Sequence, residues 1–386
     1  MRITIGIIFM TLLGCSKTSV KQSLVNEDEE ICVQNRTVND GDTVTGQYIV
    51  AYNIGTTSGR LSARQLSTLS LSILQRQNIK ADALMQTYEG EPGGFVAKLN
   101  LTQLARLQQD PSIRMIEPDR VIALGKCFTV VAPWLITWNI TNTGYGNGIG
   151  KLAWVIDTGI DFNHPDLEVD VARSRSFIPG ESSAADENGH GTHVAGTIGA
   201  KNNSIGVLGV ASGATLVSLR VLDKKGEGLL SYIIAALGYV SVNGKAGDAV
   251  NLSLGEDGVS AILDEQVLKT AAKGIYIAIA AGNDNKPAHD FSPARVNGPN
   301  VYTVAATDSA GKFARFSNYG KDVVDFAAPG VKILSTYLNN QYAIMSGTSM
   351  ATPHVTGLLL LNGNNIATSG YALNAPDGFA IAIAHH

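Results

Sequence analysis

The sequence predicts an α/β fold, a mostly parallel sheet flanked by helices, preceded by a small α+β unit. Three observations predict it. From about residue 150 onward, strand-length apolar runs alternate with helix-length runs. The strand runs are nearly continuous in Val, Ile, Leu and Ala, as strands covered on both faces require. Residues 46–124 instead follow the order strand, helix, strand, strand, helix, strand, a split βαβ, ferredoxin-like pattern.

In the N-terminal unit, Gln47–Tyr52 reads as a strand, and Leu66, Leu69 and Ile73 form one helical stripe. Phe95–Leu99 and Ile113–Glu117 are further strands. Asn100 and Gln103 have cap-and-return spacing at a helix start, and Leu104 and Leu107 line that helix. In the larger unit, strands are expected at Leu152–Ile156, Leu216–Leu222, Ala249–Leu254, Ile275–Ala280 and Val301–Ala306. Helices are expected at Thr192–Ala200, Leu229–Val242, Ile262–Lys273 and Ser349–Leu361. Ligands of such sheets sit at the carboxyl ends of the strands. The tail from Asn362 to His386, with its Gly, Asn and Pro, reads as an irregular segment packed on the body.

At 386 residues and 45% hydrophobic, the chain can bury a large core in one or two domains. A net charge of -4 leaves no basic footprint, so no nucleic-acid partner is expected. Three cysteines are too few for a disulfide scaffold. Arg2 and the apolar run Ile3–Leu13 form a leader too short to span a bilayer comfortably. It ends Leu12-Leu13-Gly14-Cys15, which resembles a bacterial lipoprotein signal with Cys15 as the lipidated residue. A plain secretory signal is the other reading. Either implies export, and lipidation would anchor the protein to a cell-envelope membrane rather than across it. The expected organisation is a signal over 1–14, a tether over 15–45, the small α+β domain over 46–124 and the main domain over 125–386.

Gly347-Thr348-Ser349-Met350-Ala351-Thr352-Pro353-His354 carries the most specific chemistry. Pro353 belongs in a helix's first turn, so the helix begins close to Ser349. Free N–H groups there would stabilise a developing oxyanion. Alone, Ser349 could be an ordinary cap. Asp157 ends a strand in Val155-Ile156-Asp157-Thr158-Gly159, and alone it could be a turn residue. In Gly189-His190-Gly191-Thr192-His193, His190 suits a general base, whereas His193 suits the core. Ala280-Ala281-Gly282-Asn283 offers an uncharged amide donor.

Together these four segments resemble the subtilisin-like serine proteases. The resemblance implies a serine endopeptidase with Ser349 as nucleophile, His190 as base, Asp157 as its orienting carboxylate, and Asn283 with the Ser349 backbone N–H as oxyanion donors. The family's magnitudes carry over with it. They are about six orders in kcat for the serine or histidine and roughly two to three for the asparagine. Ser253-Leu254-Gly255 and Gly226-Glu227-Gly228 match the two segments that hold an extended peptide, and Ala280, Ala281 and Gly282 match the opposite pocket wall. Broad specificity with a large apolar residue before the cut is implied. No acidic cluster stands out there, against a dibasic preference. Residues 46–124 resemble the family's inhibitory propeptide, which implies a self-processing zymogen, an intramolecular partner and a monomer.

The resemblance also implies structural Ca²⁺ held by Asp166, Lys201, Asn203, Ile205 and Val207, with no catalytic metal. Two rival readings remain at this point. His190-x-x-His193 has possible metal-ligand spacing for a metal hydrolase, though no glutamate lies between. A non-catalytic binding protein on a protease fold is the second. If the propeptide is cut near Leu124, a Cys32–Cys127 disulfide would keep the enzyme on its anchor.

Overall fold

The computed structural model describes residues 40–53, 61–91, 93–124, 128–130, 136–376 and 378–386. The leader with Cys15 and the expected Cys32–Cys127 pairing lie outside the described residues.

The N-terminal unit runs β1 (Thr43–Tyr52), α1 (Ala63–Arg76), β2 (Leu84–Tyr88), β3 (Gly94–Lys98), α2 (Leu101–Leu107) and β4 (Ile113–Ala123). Its strands are antiparallel in the order β4-β1-β3-β2, the expected split βαβ arrangement. Both helices open on capping boxes, Ser62 with Gln65 and Asn100 with Gln103. Alternation along β1 sends its two faces to different cores. Val50 and Tyr52 pack with Leu66, Ile73 and Phe95, whereas Ile49 and Ala51 join the core of the main body. β1 starts at Thr43 rather than Gln47, so ordered backbone reaches into the expected 15–45 tether. The cause is pairing with β4. Thr43 faces Arg120, and Gly41 and Asp42 exchange backbone hydrogen bonds with Val121, each 2.9 Å.

The main body contributes β5 (Leu152–Asp157), α3 (His190–Gly199), β6 (Thr215–Arg220), β7 (Glu227–Leu229), α4 (Leu230–Asn243), β8 (Ala249–Leu252), α5 (Ala261–Ala271), β9 (Tyr276–Ala280), β10 (Val301–Thr307), β11 (Phe326–Pro329), α6 (Thr348–Asn362), β12 (Ala367–Tyr371) and β13 (Ala382–His385). The central sheet has the order β12-β13-β11-β10-β9-β8-β5-β6, parallel except for β12. Trp154 and Ile156 of β5 face the core under α4 and α5, with Leu237 and Val267. Ala153 and Val155 face the opposite core, with Val194 and Leu358. Burial on both faces is why these strands read as unbroken apolar runs.

The tail corrects the sequence reading. It is not irregular: β12 and β13 pair with each other, and β13 continues the central sheet beside β11. Ala382–His385 is too short for its pattern to be told from a loop. A hairpin of Ile333–Tyr337 with Gln341–Met345 was equally illegible, its turn carried by left-handed Asn339 and Asn340.

The N-terminal unit docks through its last strand. Val121, Ile122 and Ala123 pair antiparallel with Leu229, Gly228 and Glu227 of β7. The Leu124 amide then donates to the Gly226 carbonyl at 2.9 Å. Two carboxylates of β4 cap body helices. Asp119 accepts from the Ser231 amide at 3.0 Å and its hydroxyl at 2.5 Å, where α4 has no side-chain cap of its own. Glu117 accepts from the Ser260 hydroxyl at the start of α5.

Candidate active site

Three neighbouring strands build the site. β5, β8 and β9 lie side by side and parallel, so their carboxyl ends open on one edge. Asp157 is the last residue of β5, Ser253 follows β8, and Asn283 lies just beyond β9.

Asp157 is wholly buried. Its Oδ1 accepts from the Thr158 amide at 2.7 Å and lies 2.8 Å from His190 Nδ1. His190 is the first residue of α3, flanked by glycines for steric reasons. Gly189 has φ 106°, and a Cβ there would fall 1.9 Å from the Tyr337 ring. A Cβ on Gly191 would fall 2.1 Å from the Gly159 carbonyl oxygen. Burial pushes the His190 pKa down, but the neighbouring Asp157, through charge and hydrogen bond, and Asp186 more than offset it, so the net shift is upward.

Sequence reasoning missed Asp186. Its carboxylate accepts from the Thr158 hydroxyl at 2.9 Å, the Asn188 and Gly189 amides at 2.8 and 3.0 Å, and the Thr192 amide and hydroxyl at 3.0 and 2.6 Å. It thereby ties the Asp157 turn to the start of α3. A lone aspartate in Ala184-Ala185-Asp186-Glu187-Asn188 carries no signal for that role.

Ser349 is the second residue of α6, and its hydroxyl donates to the Ser253 carbonyl at 3.0 Å. Pro353 lies deeper in α6 than the first turn expected from the sequence. Lacking an N–H, it leaves the carbonyl four residues back, that of Ser349, without its helical donor. The Ser253 hydroxyl donates to that carbonyl at 2.7 Å. Ser253 is wholly buried and braces the serine segment. Asn283 Oδ1 accepts from the Thr348 amide at 2.8 Å and hydroxyl at 3.0 Å. With the oxygen so held, Nδ2 is left as the side chain's donor.

Leu254, Ala280 and Ala281 are buried beside these strand ends. Gly282 has φ 105°, and a Cβ there would strike Asn318 Nδ2 at 2.2 Å. Of the two expected peptide-holding edges, Gly226 and Gly228 carry the pairing with the end of β4, and among the described residues no strand pairs with Ser253-Leu254-Gly255. His193 packs in the core as expected. Its Nε2 donates to the Ile333 and Ala343 carbonyls at 2.9 and 3.1 Å, and burial lowers its pKa to about 3.

Asp166 is wholly buried. Its Oδ2 accepts from the Val207 amide at 3.0 Å and the Tyr342 hydroxyl at 3.3 Å, while Oδ1 has no hydrogen-bond partner. Lys201 donates its amide to the Asp166 carbonyl at 2.8 Å, and the Asn203 side chain accepts from the Ile205 amide at 3.2 Å. Among the described residues no cluster of three His, Cys, Asp or Glu side chains could hold a metal. The orphaned Asp166 oxygen beside a loop of amide and carbonyl oxygens nonetheless fits a hard cation.

Residues 151–369 match the model of the subtilase family. The chain belongs to the subtilase family. It is 38% identical over 301 residues to a thermostable alkaline protease of Halalkalibacterium halodurans, covering 75% of this chain and 80% of that protein. It is 36% identical over 344 residues to an extracellular serine proteinase of Thermus sp. strain Rt41A, covering 83% and 80%. The crystal structure of a cold adapted subtilisin-like serine proteinase superposes with a TM-score of 0.57 at 34% identity, covering 65% of this chain and 98% of that one. This subtilase is a subtilisin-like serine endopeptidase.

Proposed function

We propose that this subtilase cleaves peptide bonds through an acyl-enzyme intermediate formed on Ser349. The observation that carries the reading is the 2.8 Å pair of Asp157 and His190 at the same sheet edge as Ser349. Asp157 holds the Nδ1 proton, which leaves His190 Nε2 as the basic nitrogen. The Ser349 hydroxyl turns from the Ser253 carbonyl to that nitrogen, gives up its proton and attacks the scissile carbonyl. His190 then returns the proton to the leaving amine, and water repeats the cycle on the acyl-enzyme. The Asn283 Nδ2 and the Ser349 backbone N–H receive the oxyanion.

The residue before the cut is large and apolar, because Ala280, Ala281 and Gly282 leave room for it. Residues 46–124 act as an inhibitory prosegment whose end lies along β7 as a substrate strand would, and processing falls just after Leu124. The protein is exported, as its similarity to the extracellular serine proteinase of Thermus supports, and Cys15 anchors it by lipid. Asp166, Asn203 and the carbonyls of Lys201, Ile205 and Val207 would hold a structural Ca²⁺ that stabilises the fold. Mass spectrometry of the wild type beside Ser349→Ala tests the reading. The wild type should lose its N-terminal segment and the variant should keep it; processing of both equally would overturn self-cleavage.

A further inference from the structure

The cleft holds a carboxylate that the mechanism does not use. Glu256 follows Ser253-Leu254-Gly255 and is only 1% exposed, yet neither carboxylate oxygen has a hydrogen-bond partner. Its backbone amide is fixed to the Ser292 carbonyl at 3.0 Å, so its Cα keeps its place beside Leu254 and Gly255. The cation that faces it is Arg120, with Nε 3.6 Å from Oε2. The opposite side of the guanidinium runs against Gly258, where a built Cβ would lie 3.2 Å from Nη1, and Nη1 donates to the Gly41 carbonyl at 3.4 Å.

Arg120 belongs to β4, immediately before the stretch that pairs with β7. It therefore occupies a defined position on a strand lying in the cleft. A buried carboxylate without hydrogen bonds is costly unless a cation meets it. When the N-terminal unit leaves, Glu256 loses Arg120, and a strand in the same register brings another side chain to that place.

We propose that Glu256 forms a specificity subsite for a basic side chain, Arg or Lys, on the substrate residue that lies four before the one whose amide bonds the Gly226 carbonyl. Arg120 fills this subsite in the intact chain. The proposal rests on the protease reading above. It adds charge selection away from the cut to a site whose pocket walls are apolar. Glu117 and Asp40, which also act on Glu256 in the intact chain, leave with the N-terminal unit, whereas Asp264 stays with the body, so Glu256 and Asp264 reject Asp and Glu there.

The test uses internally quenched peptides copying residues 118–130, with Ser in place of Cys127 and Arg, Gln or Glu at the position of Arg120. Rates of the active enzyme are divided by its own rate on a shorter peptide copying residues 122–130, which does not reach the subsite. The wild type should prefer Arg over Glu by at least about 10-fold in kcat/KM, a modest value for a desolvated charge pair. Glu256→Gln should bring that ratio to within about 2-fold of unity, and Glu256→Lys should reverse it. A wild-type ratio near one overturns the subsite, as does a preference that Glu256→Gln leaves intact. Preference absent from peptides, with Arg120→Gln only speeding loss of the N-terminal unit, means that Glu256 serves the prosegment alone and overturns it too. Failure of the wild type to cleave any peptide, the short one included, strikes the protease reading instead.

Discussion

Ser253 and Ser349 hold each other through reciprocal hydrogen bonds. The Ser349 hydroxyl donates to the Ser253 carbonyl at 3.0 Å, and the Ser253 hydroxyl donates to the Ser349 carbonyl at 2.7 Å. The second bond occupies an acceptor that Pro353 leaves without a helical donor.

Ser253→Ala removes that donor, and Asn251 Nδ2, 2.8 Å from the same oxygen, loses its acceptor. The buried groups left unpaired should destabilise the protein by about 1–3 kcal/mol. Because Ser253 positions the nucleophile, kcat should fall about 10-fold with KM little changed. Thermal unfolding and steady-state kinetics check this. A normal kcat would show that the helix end keeps its place without the bond.

The acid limb of kcat/KM should report His190, since only the neutral imidazole can accept the serine proton. Its raised pKa places that limb above the ordinary imidazole value of about 6.5. Asp157→Asn removes the charge that raises it, so the limb should move to lower pH and kcat should fall by about four orders, the family's magnitude. A limb that stays in place would assign it to another group.

The caps on α4 and α5 make docking of the N-terminal unit depend on pH. Burial is the first cause that pushes Glu117 up to about 6, and it raises Asp119 as well. Groups with raised values bind protons more tightly in the docked chain than when exposed. Docking is thus favoured below the ordinary carboxylate range and weakens as pH climbs through about 6. Limited proteolysis of full-length Ser349→Ala should remove the N-terminal unit faster across that rise. Asp119→Ala should speed removal at every pH, by an amount equal to the loss of a helix cap, about 1 kcal/mol or 5-fold. Loss that slows with rising pH would contradict the sign.

Removal of Ca²⁺ should lower the melting temperature, and adding it back should restore the loss in proportion to the logarithm of concentration. Asp166→Ala should abolish that dependence while leaving a folded enzyme at low temperature. A calcium response that survives in Asp166→Ala would move the ion elsewhere.

The fold was legible where burial or sterics left a periodic trace. Strands buried on both faces announced the parallel sheet, and Gly189, Gly191 and Gly282 marked places where a Cβ does not fit. Asp157, His190, Asn283 and Ser349 stood out as candidates because each sits in several residues of specific chemistry. Asp186, Glu117 and Asp119 were not, since each acts through amides and hydroxyls that no local pattern reveals. Glu117 meets Ser260, and Asp119 meets Ser231, across more than a hundred residues of chain. Glu256 was passed over because a carboxylate beside an aspartate and a glycine reads as a solvated turn, whereas β4 and Arg120 bury it. β12 and β13 were missed because an edge pair of short strands has too few residues to show alternation.

The central claim is that Ser349 is the nucleophile made reactive by His190. It is tested most directly by treating the enzyme with a fluorophosphonate and mapping the adduct by mass spectrometry. The account predicts a single covalent adduct on the Ser349 peptide, lost in Ser349→Ala and slowed by orders of magnitude in His190→Ala. An adduct on another residue, or labelling of Ser349 at the same rate without His190, would contradict it.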